Sequence, residues 1–596
     1  MSAPNTNTLV PLTVAVPLAA AALLAGADRY LGRTGRDVTA VAAAAATAVL
    51  AAIALDGSTH RPIVYWFGGW LPERGTVIGV DYVVDPMGGG LALLAALLSL
   101  GALVYSRRFF AGTGARYPAL VLVFLAASID FAWTGDLFNL FVAFELVAVV
   151  GFILTGYYSS EEAPLQGAIN FAVTNTIGGL LLLLAVTVLY GYTGTLNLAQ
   201  MGQQLAAHRP NGVVAVALAM LCTGFLIKAA VVPWHFWLPD AYGAAPAPTC
   251  VIFAGVLSEL GLFGLARVWE TVFSGVVSGP AEQHIRLVFG ALGILTALIG
   301  TAMSMVETYG RRILGFVVVA HMGLYLLGFA VLRTVSLGGV ALLAAGDGFT
   351  KAALFLAVGV LRRRRRQTGG RPLRGSGGRV GIAVGVVVVG ALALADLPPF
   401  ASSVGKDALV SGAGPAATLI EVVFVITTVG TSGAILASAA RVWRGQLPDE
   451  RSPAEEQAES GGTPVAVLLL VPAVVLLAAG LALGLLPDIA GRAVQAASVF
   501  SDRKAYVASV IYGKTATATA VAPPGASLAT LLGDGAEAAG AIAFAALLLS
   551  AKPLQAAVGT ATVWLRKLHS GHVADQVTWS LAGLAALAGL CAIALR

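Results

Sequence analysis

Charge is scarce in this chain. Asp, Glu, Lys and Arg make up 11% of 596 residues against 58% hydrophobic ones, and the mean hydropathy is +0.85. That balance excludes a string of soluble domains. Cysteine is nearly absent. Cys222, Cys250 and Cys591 lie scattered in apolar runs with no CxxC or Cys/His spacing. The pattern excludes zinc, haem or an iron–sulfur cluster held by this chain, so neither a metal nor a cofactor is expected in it. Met1 to Thr8 contain no Lys or Arg, which argues against the charged start of a cleaved signal peptide and keeps the first apolar run in place. The net charge of +6 is spread over loops between apolar runs and carries no nucleic-acid expectation.

What is abundant is the apolar run of about twenty residues, the length that crosses a bilayer. Sixteen such windows recur, at 9–28, 37–55, 86–106, 116–134, 137–157, 166–190, 212–236, 246–269, 286–306, 311–333, 336–361, 379–412, 415–440, 464–487, 537–552 and 574–594. The fold class is therefore all-α, a polytopic protein of about 16 transmembrane helices in a lipid bilayer. Loops after odd-numbered windows hold 22 Lys and Arg residues against 11 in the other loops. By the positive-inside rule both termini are expected outside the cytoplasm. The basic run Arg362 to Arg366 reads as a cytoplasmic stop signal. High Ala, Gly and Arg usage points to a bacterial plasma membrane.

Of seven lysines, Lys228, Lys351 and Lys406 lie within these apolar runs, whereas Lys552 stands at the very edge of its window and counts with the loop that follows. A central membrane lysine costs roughly 2.5 to 3.5 kcal/mol, so it persists where a partner, a water-filled cavity or a transported ion offsets the cost. Glu145 stands in an otherwise apolar helix, nine residues after Asp136, and Lys228 is the expected partner. A carboxylate and an ammonium placed together either trade a proton or form a static packing pair. Asp347 and Lys351, four apart in AAGDGFTKAALFL, share one helix face. His321, deep in GFVVVAHMGLYLLG, suits a relay between the lysine sites because imidazole titrates near neutrality. Glu259 and Glu421 are further intramembrane carboxylates, and Asp407 adjoins Lys406. His235 reads equally as an interfacial residue, and Asp130, Asp396, Asn170 and Asn175 read as structural or cavity-lining groups.

Two helices carry proline near their lysines. Pro233 follows Lys228 by five residues, and Pro398 and Pro399 precede Lys406. Proline has no N–H, so the carbonyls of Ala229, Leu394 and Ala395 are expected to lose helical partners. Paired interrupted helices in successive halves fit the inverted-repeat design of secondary transporters.

These strings resemble the antiporter-like membrane subunits of respiratory complex I, membrane-bound hydrogenases and Mrp-type multisubunit Na+/H+ antiporters. The resemblance covers about residues 80 to 445. FVAFELVAVVGFIL is similar to the family's fifth-helix segment, placing its essential glutamate at Glu145. GFLIKAAVVPWHFWLPDAYGAAPAPT resembles the seventh-helix signature, with its lysine at Lys228. GRRILGFVVVAHMGLYLLG, GDGFTKAALFLAVG and DLPPFASSVGKDALV match segments that place His321, Lys351 and Lys406. Asp347 stands where many relatives have histidine, and Glu259 where several have lysine.

The resemblance implies a 14-helix core with two inverted five-helix repeats, broken helices 7 and 12, and a C-terminal extension. The expected division is 1–115, repeats at 116–270 and 286–440, an acidic linker at 441–463, and 464–596 with a loop at 488–536. No long lateral amphipathic helix is evident between the last windows. The implied function is proton translocation through Glu145, Lys228, Glu259, His321, Asp347, Lys351 and Lys406. The setting is a multisubunit Na+ or K+/proton antiporter or a complex-I-like NADH:quinone oxidoreductase. Other membrane subunits are the expected partners, with H+ and Na+ or K+ the ions moved. An energy-converting hydrogenase subunit, a scaffold or a bicarbonate-uptake partner are the rival readings.

Overall fold

In hydrocarbon every backbone N–H and C=O must be satisfied within the chain, which leaves long apolar runs the α-helix. The computed structural model follows that rule. It describes residues 6–110, 114–207, 211–367, 378–444, 469–514, 528–550, 563 and 573–594. The N-terminal part comprises α1 (Thr6–Ala27), α2 (Arg33–Ser58), the strands β1 (Ile63–Trp66) and β2 (Asp81–Val84), and α3 (Pro86–Phe109). The strands pair antiparallel with Ile63 opposite Val84 and Trp66 opposite Asp81.

The next stretch holds α4 (Arg116–Trp133), α5 (Leu137–Thr155), α6 (Glu162–Thr193), α7 (Leu198–Ala207), α8 (Gly212–Lys228), α9 (Trp237–Ala244), α10 (Ala247–Ile252) and α11 (Ser258–Val268). A π turn at Phe253–Leu257 joins α10 to α11. Then come α12 (Pro280–Val306), α13 (Gly310–Phe329), α14 (Thr334–Gln367), α15 (Gly378–Leu394), α16 (Ala401–Gly412) and α17 (Ala417–Arg444). The C-terminal part holds α18 (Val471–Gly484), α19 (Ile489–Ser501), α20 (Arg503–Tyr512), α21 (Leu528–Ser550) and α22 (Val573–Ala594).

The described residues of every expected window overlap a helix, but fewer than sixteen of these helices are long enough to span. Among the described residues, twelve helices are long and apolar enough to span, or thirteen if the α18–α19 pair, bent by 84°, is one span. Gly212–Lys228 and Val380–Leu394 are shorter because breaks interrupt their windows. The acidic linker and the TATATA and APPGAS stretches lie, for residues 445–468 and 515–527, outside the described residues. Within 488–536, expected as loop, α19 and α20 are packed helices burying Val494, Ala497, Phe500, Tyr506 and Val510. Their amphipathic stretches are too short for a twenty-residue window to register.

Capping fixes where the functional helices begin. Asp136 starts α5, its Oδ1 accepting from the N–H groups of Phe138 (2.9 Å) and Asn139 (2.8 Å). Asp85 starts α3 by accepting from Gly88 N–H at 2.9 Å. The innermost spans are α13 and the α10–α11 segment, each 94% buried, whereas α1 is 28% buried and forms an outer face. α14 runs through the centre, packed against α13, α15, α16, α18 and α19.

Candidate functional site: a buried line of ionisable residues

α8 ends at Lys228 itself, which places the ammonium in the last turn of its helix. The negative end of the helix dipole favours a cation there. Beyond it the chain passes through Ala230, a non-glycine residue at φ 52°. The freed backbone groups near the break find other partners: Trp237 Nε1 donates to Ile227 O at 3.0 Å, and Val232 N–H donates to Thr296 Oγ1 at 3.0 Å. The second break, between α15 and α16, is built alike. Asp396 sits at φ 57°, and Ser402 Oγ donates to Ala393 O at 2.9 Å. Left-handed backbone at a non-glycine residue costs about 1–3 kcal/mol and concentrates at functional sites. The lysines flank their breaks from opposite sides, Lys228 before and Lys406 after.

Three clusters lie along the molecule. In the first, Lys228 is fully buried; its Nζ donates to Phe144 O at 3.1 Å and lies 3.9 Å from the centre of the Phe144 ring. Glu145 is the next residue on α5, half-buried, and within electrostatic range of Lys228 without a contact ion pair. Its Oε1 is buried without a hydrogen-bond partner. The expected pair is thus separated, and the aromatic ring and carbonyl hold the ammonium instead.

The central cluster is continuous. Asp347 Oδ2 lies 2.5 Å from His321 Nδ1 and accepts from Tyr325 Oη at 2.5 Å. Lys351 Nζ donates to Tyr325 Oη at 2.8 Å and lies 3.5 Å from Asp347 Oδ2. All four side chains are buried. Helix periodicity explains the set: Asp347 and Lys351 are four apart on α14, His321 and Tyr325 four apart on α13. Glu259 lies two residues past the π turn, with both carboxylate oxygens buried and unpartnered, in electrostatic reach of Lys351 and Asp347. π turns inside α-helices recur at functional sites.

In the terminal cluster Lys406 meets three acids. Its Nζ donates to Asp534 Oδ1 at 3.0 Å and to Glu537 Oε1, and lies 3.6 Å from Asp396 Oδ2. Ser403 Oγ and Thr428 Oγ1 donate to Asp534 Oδ2 and Glu537 Oε2, each at 2.9 Å. Asp396 is also in electrostatic range of Asp347, which ties this cluster to the central one.

Reasoning from sequence left out Tyr325, Asp534 and Glu537. Tyr325 carried a visible signal, one turn from His321; Glu537 opens a weakly apolar window and Asp534 precedes it, and their partner Lys406 is 131 and 128 residues away in the chain. Glu421 is exposed on α17 and stands apart from the clusters. His235 is buried against the Phe236 ring. Asp130 accepts from Tyr82 Oη (2.6 Å) and Asn139 Nδ2 (2.9 Å), Asn170 Nδ2 donates to Asp240, and Asn175 Nδ2 to Phe171 O.

Buried polar atoms in native proteins are nearly always paired, with protein or with water. Glu145 Oε1, Glu259 Oε1 and Oε2, His321 Nε2 and Asp347 Oδ1 are buried and unpaired by protein. Such a row suits water-bridged charge transfer, because each group offers a site for a proton or a water.

The model of the family described as "NADH:quinone oxidoreductase/Mrp antiporter, TM" matches residues 134–431, from the start of α5 into α17. NADH-quinone oxidoreductase subunit N of Desulforudis audaxviator is 31% identical over 429 residues, covering 70% of this chain and 82% of that one. The chain belongs to the NADH:quinone oxidoreductase/Mrp antiporter transmembrane family. A Na(+)/H(+) antiporter subunit of Bacillus subtilis is 28% identical, with 68% of this chain and 80% of that one covered. In the solved Mrp complex of Dietzia sp. DQ12-45-1b, a chain 25% identical superposes with a TM-score of 0.71, covering 85% of this chain and 99% of that one. The protein is an antiporter-like membrane subunit of this family. Lys228, His321, Lys351 and Lys406 all fall within the matched segment, while Asp534 and Glu537 lie outside it.

Proposed function

We propose that this subunit moves protons through the line Glu145, Lys228, Glu259, His321, Asp347, Lys351 and Lys406, as part of a multisubunit Mrp-type monovalent cation/proton antiporter. The observation that carries the reading is the central hydrogen-bonded string His321–Asp347–Tyr325–Lys351, buried at the middle of the bundle. A proton added at one end of such a string changes the affinity at the other. Moving one charge is worth about 2.3 kcal/mol per 100 mV of membrane potential, comparable to the cost of one central lysine, so rearrangements of one contact suffice to gate it. The two halves, 116–270 and 286–440, act as inverted repeats in the plasma membrane, with both termini outside.

A second reading places the same subunit in a complex-I-like NADH:quinone oxidoreductase, favoured by the Desulforudis audaxviator relative. There the redox groups reside on other polypeptides. The two are separated by proton movement in everted vesicles containing the chain with its neighbouring subunits. Acidification that collapses on adding sodium or potassium, with no NADH required, supports the antiporter. Proton pumping that appears only with NADH and quinone supports the alternative. Vesicles showing neither response contradict both.

A further inference from the structure

α21 lies beyond the family-matched segment, yet it enters the terminal cluster and supplies two of the acids on Lys406. It also docks through apolar contacts. Ala538 and Ala541 pack on Ala395 at the second break, Phe544 and Ala541 close on Gly433, and Ala545 and Leu548 pack on Ala437. A single carboxylate would neutralise the ammonium. The site instead gathers Asp396, Asp534 and Glu537, all buried, around one lysine. Asp407, beside Lys406, adds further negative potential nearby, and Asp347 adds it from α14. An uncompensated buried charge is costly, so such a site holds at least one proton more than full ionisation would allow.

Resting on the proton-translocating reading above, we infer that Asp534 and Glu537 are the proton-relay groups that receive protons from Lys406, so that the C-terminal helix completes the second half-channel in cis. The step is a single proton transfer. An N–H bond of the Lys406 ammonium breaks and an O–H bond forms on Glu537 Oε1 or Asp534 Oδ1, leaving a neutral amine and a carboxylic acid. The acid then releases its proton and the lysine is recharged from the central cluster. Ser403 and Thr428 hold the outer carboxylate oxygens, leaving Glu537 Oε1 and Asp534 Oδ1 directed at Nζ.

The test is proton flux of the assembled complex in everted vesicles, comparing wild type with the Asp534→Asn/Glu537→Gln double variant. An added Ala437→Cys/Ala545→Cys pair reports by disulfide formation whether α21 is docked. The expected result is flux reduced at least tenfold with the cross-link retained, and partial recovery with a displaced pH profile for Glu537→Asp in the Asp534→Asn background. Unchanged flux and pH profile overturns the inference. So does flux lost together with the cross-link and not restored by the conservative variant, because the acids would then be anchors. Wild-type vesicles without flux would instead count against the transport reading. The inference then stands or falls on labelling by a hydrophobic carbodiimide, which attacks a protonated buried carboxyl: modification of Asp534 or Glu537 at neutral pH supports it, and none there overturns it.

Discussion

The Tyr325 hydroxyl donates to Asp347 Oδ2 at 2.5 Å, and through that one oxygen α13 and α14 share a proton-bearing contact. The same hydroxyl accepts from Lys351 Nζ at 2.8 Å. Asp347 and Lys351 are 3.5 Å apart, so the phenol is the shorter bridge between them.

Tyr325→Phe removes this bridge and keeps the ring that lies 4.9 Å from Lys351 Nζ. Transport is expected to fall by about tenfold, the equivalent of ~1.4 kcal/mol in barrier height, with the protein still inserted. Proton flux in vesicles, normalised to the amount of folded protein, reads the effect. Wild-type rates in the variant would show that Asp347 and Lys351 communicate without the phenol.

Glu145 depends on a glycine. A Cβ at Gly179 on α6 would overlap Glu145 Oε1. Gly179→Ala should push the carboxylate off its present position and cut flux, while the apolar contacts of α5 with α6 keep the helices assembled. Thermal unfolding in detergent should change little, whereas flux should drop; loss of both together would make Gly179 a packing position only.

Arg267 on α11 is buried and pairs with Asp85, the cap of α3, while its guanidinium lies 4.1 Å from the ring centre of Phe500 on α19. Removing one partner of a buried pair leaves the other charge uncompensated and costs roughly 3–5 kcal/mol. Arg267→Leu is therefore expected to lower the unfolding temperature markedly, and the double change Arg267→Leu/Asp85→Leu should recover most of it. No recovery would mean that the pair is not the source of the loss.

Outside the spanning helices, burial and the neighbouring Asp136 push the Asp81 carboxyl up to about 8, against partial relief from backbone hydrogen bonding and Asn197. The folded chain thus keeps a proton that the unfolded chain releases above about 3.8. Stability from this group is full below that value and is lost as pH rises towards about 8. Asp81→Asn should flatten the pH dependence of the unfolding temperature over this window. An equally steep dependence in the variant would assign it to other groups.

Much of this arrangement is readable from residues alone. The three lysines stand out by cost, Asp347 and Lys351 by spacing, and the two breaks by proline. Local periodicity also places His321 and Tyr325 on one face, though Tyr325 draws no notice because phenol is ordinary in an apolar helix. What sequence hides is distance in space. Lys228 and Glu145 look like a contact pair, but the carbonyl of Phe144 takes the ammonium. Asp534, Glu537 and Arg267 acquire meaning only when helices far apart in the chain pack together. α19 and α20 escape notice for a different reason: their apolar faces are shorter than a membrane span.

The most direct test of the account is proton flux in everted vesicles under an imposed gradient, with Lys228→Ala and Lys351→Ala made singly in the assembled complex. The account predicts flux at background for each, with normal insertion and assembly. Flux at the wild-type rate in either variant would contradict a proton path through these lysines.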